Sequence, residues 1–91
     1  MNGNFYEGAW KNDKKDGIGT YIFLTTGEKF VGNFFNNKRH GTGTFHFAYG
    51  DRYEGEWQKG KKHGLGKIFY ISGSVYDGMW QNDKAHGVGS F

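Results

Sequence analysis

Cysteine is absent from the 91 residues. That removes disulfide frameworks, thiolate metal sites and cysteine nucleophiles together, and it suits a reducing, cytoplasmic setting. Aliphatic side chains are scarce: Val, Ile and Leu number nine, whereas Phe, Tyr and Trp number eighteen. An ordinary aliphatic core is excluded, and whatever is buried must be mostly aromatic. No stretch approaches the roughly eighteen consecutive apolar residues of a membrane-spanning helix. Met1 to Phe5 has neither the basic nor the apolar region of a signal peptide. Glycine stands third rather than second, so the pattern for N-myristoylation is missing too. The length allows one small domain and not two.

What is abundant is glycine, and its placement is periodic. Aligned on Tyr6, Phe30, Tyr53 and Tyr76, the chain repeats at intervals of 24, 23 and 23 residues. Each leading aromatic is followed two residues on by Gly8, Gly32, Gly55 or Gly78, and four on by Trp10, Phe34, Trp57 or Trp80. Two further slots hold Gly17, Gly41, Gly64 and Gly87, then Gly19, Gly43, Gly66 and Gly89. A last slot, three residues ahead of each leading aromatic, holds Gly3, Gly27, Gly50 and Gly73. Of the seventeen glycines only Gly60, in a turn, stands outside these slots. A flexible linker does not hold register in this way, and a fixed period of this length marks a repeat architecture.

Each unit reads as strand, turn, strand. Residues 53 to 57 alternate so that Tyr53, Gly55 and Trp57 share one face and Glu54 and Glu56 the other. The turns centre on Asn-Asp, Asn-Asn, Lys-Gly and Asn-Asp, residues that tolerate the positive φ of a two-residue hairpin. With Lys59-Gly60 as that turn, Gly55 is expected opposite Gly64, and Tyr53 opposite Gly66. Glycine in a strand interior is costly unless something uses the vacated space. Rings of the same and the next repeat are expected to lie across these troughs.

The run "YEGEWQKGKKHGLG", Tyr53 to Gly66, resembles the consensus of the MORN (membrane occupation and recognition nexus) repeat, and the resemblance extends over the whole chain. Approximate units are 6–29, 30–52, 53–75 and an incomplete 76–91. The first unit departs in having Asp16 where the others have His40, His63 and His86, and in one extra residue before Gly27. The second has Phe30 and Phe34 for Tyr and Trp. The resemblance implies an all-β fold: an elongated, single-layer antiparallel sheet of β-hairpin repeats, a solenoid-like rod. With strands about 4.8 Å apart, four units should span roughly 35 to 40 Å. Because such arrays need polar terminal units, a chain that starts in a connection and stops in mid-strand is expected to be part of a longer array or larger protein.

Catalytic constellations are not apparent. "GLGKIF", "GTGTFH" and "GIGTYI" begin like a dinucleotide fingerprint but lack its third glycine and following helix. Ser72, Ser74 and Ser90 have no repeating His or acid partner. His40, His63 and His86 recur in one slot, but repeats about 10 Å apart cannot share a zinc whose ligands sit about 2 Å from it. Their imidazoles are expected to pack in the hairpins and bond to turn backbone. No cofactor or metal is expected, and the chain is not read as an enzyme. "HGLGKIFY" has a faint likeness to an RNA-recognition strand, but its recurrence in each unit marks it as repeat structure, and nucleic acid is not expected as a ligand.

Charge is more informative. Nine of the twelve basic residues lie at the hairpin tips, namely Lys11, Lys14, Lys15, Lys38, Arg39, Lys59, Lys61, Lys62 and Lys84, with only Asp13, Asp16 and Asp83 among them. All tips emerge on one edge, so a basic ridge is expected along the array, outside the aromatic face. Charged tips keep a sheet soluble and discourage association; they can also meet an anionic surface. The resemblance implies a non-catalytic protein–protein interaction and assembly scaffold of a cytoskeletal, ciliary or membrane-contact complex, with self-association. The alternatives are binding of acidic phospholipid or phosphoinositide, and a repeat segment attached to an enzyme such as a lipid kinase or lysine methyltransferase.

Overall fold

A computed structural model describes residues 4–90, with side chains through residue 85. Gly3, Phe91 and the side chain of His86 therefore lie outside the described residues. Eight strands follow one another: β1 (Asn4–Lys11), β2 (Lys14–Phe23), β3 (Glu28–Phe35), β4 (Lys38–His46), β5 (Arg52–Gln58), β6 (Lys61–Phe69), β7 (Val75–Gln81) and β8 (Lys84–Ser90). They pair antiparallel in chain order to form one open sheet. The overall dimensions are 39 × 24 × 17 Å, the longest matching the span expected of eight stacked strands. The all-β, single-sheet hairpin array read from the sequence is the fold observed.

The tight turns form as their chemistry requires. Asn12-Asp13, Asn36-Asn37, Lys59-Gly60 and Asn82-Asp83 all have positive φ, from 50° to 85°, the combination whose twist matches the flanking strands. Beyond the turn the register differs from expectation. Trp57 pairs with Lys62, but Gly55 then pairs with Gly66, not Gly64, and Tyr53 pairs with Ile68, not Gly66. The cause is a bulge in which His63, Gly64 and Leu65 lie across from Glu56 alone. Gly64 adopts φ of 85°, and the Glu56 carboxylate accepts the Leu65 N–H at 2.6 Å, occupying the gap. Register irregularities recur at the same place in every hairpin. The two glycines of the runs at 17–19, 41–43 and 64–66 therefore have different tasks, the first turning the bulge with positive φ and the second remaining in the ladder.

That shift aligns a continuous row of ladder glycines across all eight strands: Gly8, Gly19, Gly32, Gly43, Gly55, Gly66, Gly78 and Gly89. The leading aromatics Tyr6, Phe30 and Tyr53 lie in the row. A Cβ on Gly66 would overlap the ring and hydroxyl of Tyr53, one on Gly43 the ring of Phe30, and one on Gly19 that of Tyr6. Each seat thus belongs to the ring's own repeat. The next repeat contributes an edge instead. Trp10, Tyr6, Phe34, Phe30, Trp57, Tyr53, Trp80 and Tyr76 form an unbroken edge-to-face zigzag, with centroids 4.9 to 5.5 Å apart and planes at 82° to 87°. This is the geometry that ring quadrupoles favour. Most of the buried core is drawn from this zigzag, with Phe45 and Ile68 beside it.

Hydrogen bonds stitch repeat to repeat. Trp57 Nε1 donates to the Gly43 carbonyl and Trp80 Nε1 to that of Gly66, both at 3.2 Å. The connections close by Gly50 N–H to Phe47 carbonyl at 3.1 Å and Gly73 N–H to Tyr70 carbonyl at 2.9 Å. Unit one's extra residue is absorbed there, since Gly27 reaches Phe23 one residue further along the chain at 2.7 Å and strand register is undisturbed. Successive connections are joined by acids: Glu28 accepts from Ala48 N–H at 3.4 Å, and Asp51 from Ile71 N–H at 2.9 Å.

Candidate binding face

Strand alternation divides the nine tip cations. Lys14, Lys38, Lys61 and Lys84 pair across their turns with Lys11, Phe35, Gln58 and Gln81, whereas Lys15, Arg39 and Lys62 pair with Trp10, Phe34 and Trp57. The second set therefore falls on the ring face. Lys11, Lys14, Lys38, Lys59, Lys61 and Lys84 are exposed; Lys15, Arg39 and Lys62 are half-buried. The expectation that the whole ridge stands outside the aromatic face fails for these three, because side chains one residue apart in a strand point to opposite sides.

Each of the three covers rings. Lys15 Nζ lies 5.3 Å from the Tyr21 centroid and 5.6 Å from Tyr6. The Arg39 guanidinium lies 4.8 Å from Trp57 and 5.2 Å from Phe45. Lys62 Nζ lies 5.3 Å from Trp80 and 5.7 Å from Tyr53. These are cation–π distances, and long stems covering apolar surface keep their charged heads at its border. Burial lowers the Arg39 pKa, and Asp83 and Glu28 offset part of that shift; a guanidinium stays charged regardless.

Turn backbone locks these cations in place. The second turn residue of each following repeat docks on the strand that bears the cation. Asn37 N–H donates to the Lys15 carbonyl at 3.0 Å, Gly60 N–H to Arg39 at 2.9 Å, and Asp83 N–H to Lys62 at 3.1 Å. In return Lys15 N–H donates to Asn37 Oδ1 and Lys62 N–H to Asp83 Oδ1, both at 2.8 Å. Gly60 has no side chain to offer, and the Arg39 guanidinium donates to its carbonyl at 2.6 Å instead. Between successive docked turns lie open notches. One of about 240 Å³ is bordered by Lys15, Tyr21, Phe23, Phe34, Arg39 and Gly60. Its counterpart one repeat on, about 300 Å³, is bordered by Arg39, Phe45, Phe47, Trp57, Lys62 and Asp83.

The histidine reading needs correction. Among the described residues no hydrogen bond joins the His40 or His63 side chain to turn backbone; turn residues bond instead to the neighbouring repeat. His40 packs against Phe35, with centroids 5.7 Å apart, and both histidines border a shallow depression beside Glu56. On the sheet's other face Ile18, Val31, Leu65 and Met79 are exposed, a surface that sequence reasoning did not single out.

The division of the cations has a measurable consequence. Lys62 has a side chain only 13% exposed and pairs with Asp83 at 3.6 Å. Lys62→Glu should therefore cost about 1 kcal/mol through lost ring contact and like-charge repulsion. Lys61→Glu should stay within about 0.5 kcal/mol. Thermal melts of the two variants check this, and equal midpoints would return both residues to the exposed ridge.

The sequence profile of the MORN repeat matches residues 6–23, 30–52, 53–75 and 76–91, most of the chain. No curated protein matches it.

Proposed function

The chain belongs to the MORN repeat family, and from that premise we propose that it is a non-catalytic module for protein–protein interaction and assembly. Repeats of this family work in protein–protein or membrane-binding contexts. The observation that carries the protein reading is the ring face. Half-buried cations lie over aromatic rings in each of the first three repeats, leaving open notches along a scaffold whose own rings are locked edge to face. A rigid, regularly spaced aromatic and cationic surface suits an extended polypeptide, because it binds without first having to be ordered. A cytoplasmic cytoskeletal, ciliary or membrane-contact assembly is the setting in which such a scaffold would work.

Self-association follows from the same stacking surfaces. Trp57 and Trp80 are 5% and 7% exposed because the preceding repeat covers them, whereas Trp10 on β1 is 57% exposed. A hairpin of the same pattern from a second copy would cover it as the preceding repeat covers Trp57 and Trp80. Sedimentation at rising concentration should show oligomers that Trp10→Glu suppresses; a monomer at high micromolar concentration would remove this part of the reading. The second reading, acidic phospholipid, is favoured by the six exposed tip lysines. Contact with anionic membrane would gain about 1 kcal/mol per basic residue and fade with salt. Cosedimentation with acidic and neutral liposomes separates the two. Binding to acidic liposomes that Lys14→Glu with Lys61→Glu abolishes would make lipid the ligand, and its absence at low salt leaves protein.

A further inference from the structure

The two notches have the same plan and different charge. In the one bordered by Arg39 and Lys62, the docked turn supplies Asp83, whose carboxylate pairs with Lys62 at 3.6 Å and accepts the Lys62 N–H. In the one bordered by Lys15 and Arg39, the equivalent position is Gly60, and the residue docked on Lys15 is the neutral Asn37. No acid borders this notch, which Lys38 lines as well, and none of its three cations joins an ion pair among the described residues. Lys15 and Arg39 are half-buried and held by rings and backbone, with no carboxylate at ion-pair distance among the described residues.

We propose that the Lys15–Arg39 notch takes a side-chain carboxylate from an acidic, aromatic-containing segment of a partner polypeptide, and that Asp83 is the built-in occupant of the corresponding place one repeat on. This rests on the reading of the ring face as a protein-interaction surface. A carboxylate between a lysine and a guanidinium gains charge-assisted hydrogen bonds, and the cations need not leave their rings to make them. The walls decide between an acidic peptide and a lipid headgroup. Tyr21, Phe23 and Phe34 border a space of about 240 Å³, suited to an apolar side chain beside the acid and poorly suited to a phosphate, which wants converging donors. The array thus has polarity: one notch open to an anion, the next filled by its own.

Exchanging the two notches' residues tests this without foreign geometry. Gly60→Asp imports the acid at a backbone φ of 85°, close to the 71° that Asp83 adopts, and a Cβ there meets only Arg39 Nη2 at 3.9 Å. Asp83→Asn removes the acid while keeping an acceptor for the Lys62 N–H, as Asn37 does for Lys15. The probe is a short fluorescein-labelled peptide of glutamates around one phenylalanine, with a lysine-for-glutamate peptide as control. Wild type should bind the first in a salt-sensitive way and ignore the second. Gly60→Asp should weaken binding by about tenfold, because like charges then face each other. Asp83→Asn should open a second site and raise the peptide bound per chain. No binding by wild type, unchanged affinity in Gly60→Asp, or no gain in Asp83→Asn each overturns the proposal. Displacement of the peptide by phosphatidylserine vesicles that themselves lose binding in Gly60→Asp overturns it in favour of lipid. Thermal melts show whether each variant is folded, and the gain in Asp83→Asn decides if Gly60→Asp is not. Should the peptide fail while Trp10→Glu still suppresses self-association, only the notch's ligand is wrong and the assembly reading stands.

Discussion

Gly66→Val is expected to lower the thermal midpoint by roughly ten degrees or more, whereas Leu65→Ala, one residue away, should scarcely move it. A Cβ at Gly66 would fall inside the ring and hydroxyl of Tyr53. Tyr53 has nowhere to go. It is 0% exposed, its edges meet Trp57 and Trp80, and its hydroxyl donates to the Glu56 carbonyl at 2.9 Å. Overpacking of this kind costs about 1 to 3 kcal/mol, and in a domain of this size each kcal/mol is worth roughly 4 to 8 °C. The cost should reach the upper part of that range, because displacing one ring disturbs both neighbours in the zigzag. Leu65 lies on the opposite face, 62% exposed, where substitutions stay within about 0.5 kcal/mol. Matching midpoints for the two variants would mean that the glycine row is not what seats the rings.

Much of this was legible in the sequence, for a physical reason. Period, turn chemistry and the face shared by Tyr53, Gly55 and Trp57 all depend on local backbone geometry, which a few neighbouring residues determine. Contacts between repeats were less legible. The bulge depends on Gly64 taking a left-handed conformation while the Glu56 carboxylate bonds the Leu65 N–H, and Glu56 had looked like an ordinary outward charge. Reading Lys15, Arg39 and Lys62 as ridge residues followed from their position beside the turn; counting alternation one residue further would have put them with Trp10, Phe34 and Trp57. Asn37, Gly60 and Asp83 share one slot in the repeat, but their docking on the previous repeat is set by sheet twist and stacking, which no single unit encodes. Glu28 and Asp51, each directly after a connection glycine, were visible as a pattern and were not recognised as the acids that join one connection to the next.

Between about pH 10 and pH 12 the protein is expected to lose roughly 2 kcal/mol of stability that Tyr53→Phe does not lose. The Tyr53 phenol is pushed up to about 12 from 10.0, first by burial and then by the nearby Glu56 carboxylate. In the unfolded chain the same phenol ionises near its ordinary value of about 10. Below that value both states keep the proton, and the full stability is present. Above it only the unfolded state releases the proton, so each further pH unit favours unfolding by about 1.4 kcal/mol until the folded state also ionises. Screening by the water that surrounds so thin a sheet reduces the sum across the window to roughly 2 kcal/mol. The phenylalanine variant should fit, because Phe30 already fills the equivalent seat over Gly43. At neutral pH it should be less stable by about 0.5 to 1.5 kcal/mol, having lost the hydrogen bond to the Glu56 carbonyl. The two stability curves, measured by urea midpoints, should therefore cross above about pH 10. A variant that falls as steeply as wild type would mean that the Tyr53 hydroxyl meets water freely enough to ionise in place, and that the edge-to-face zigzag is looser at its centre than its geometry shows.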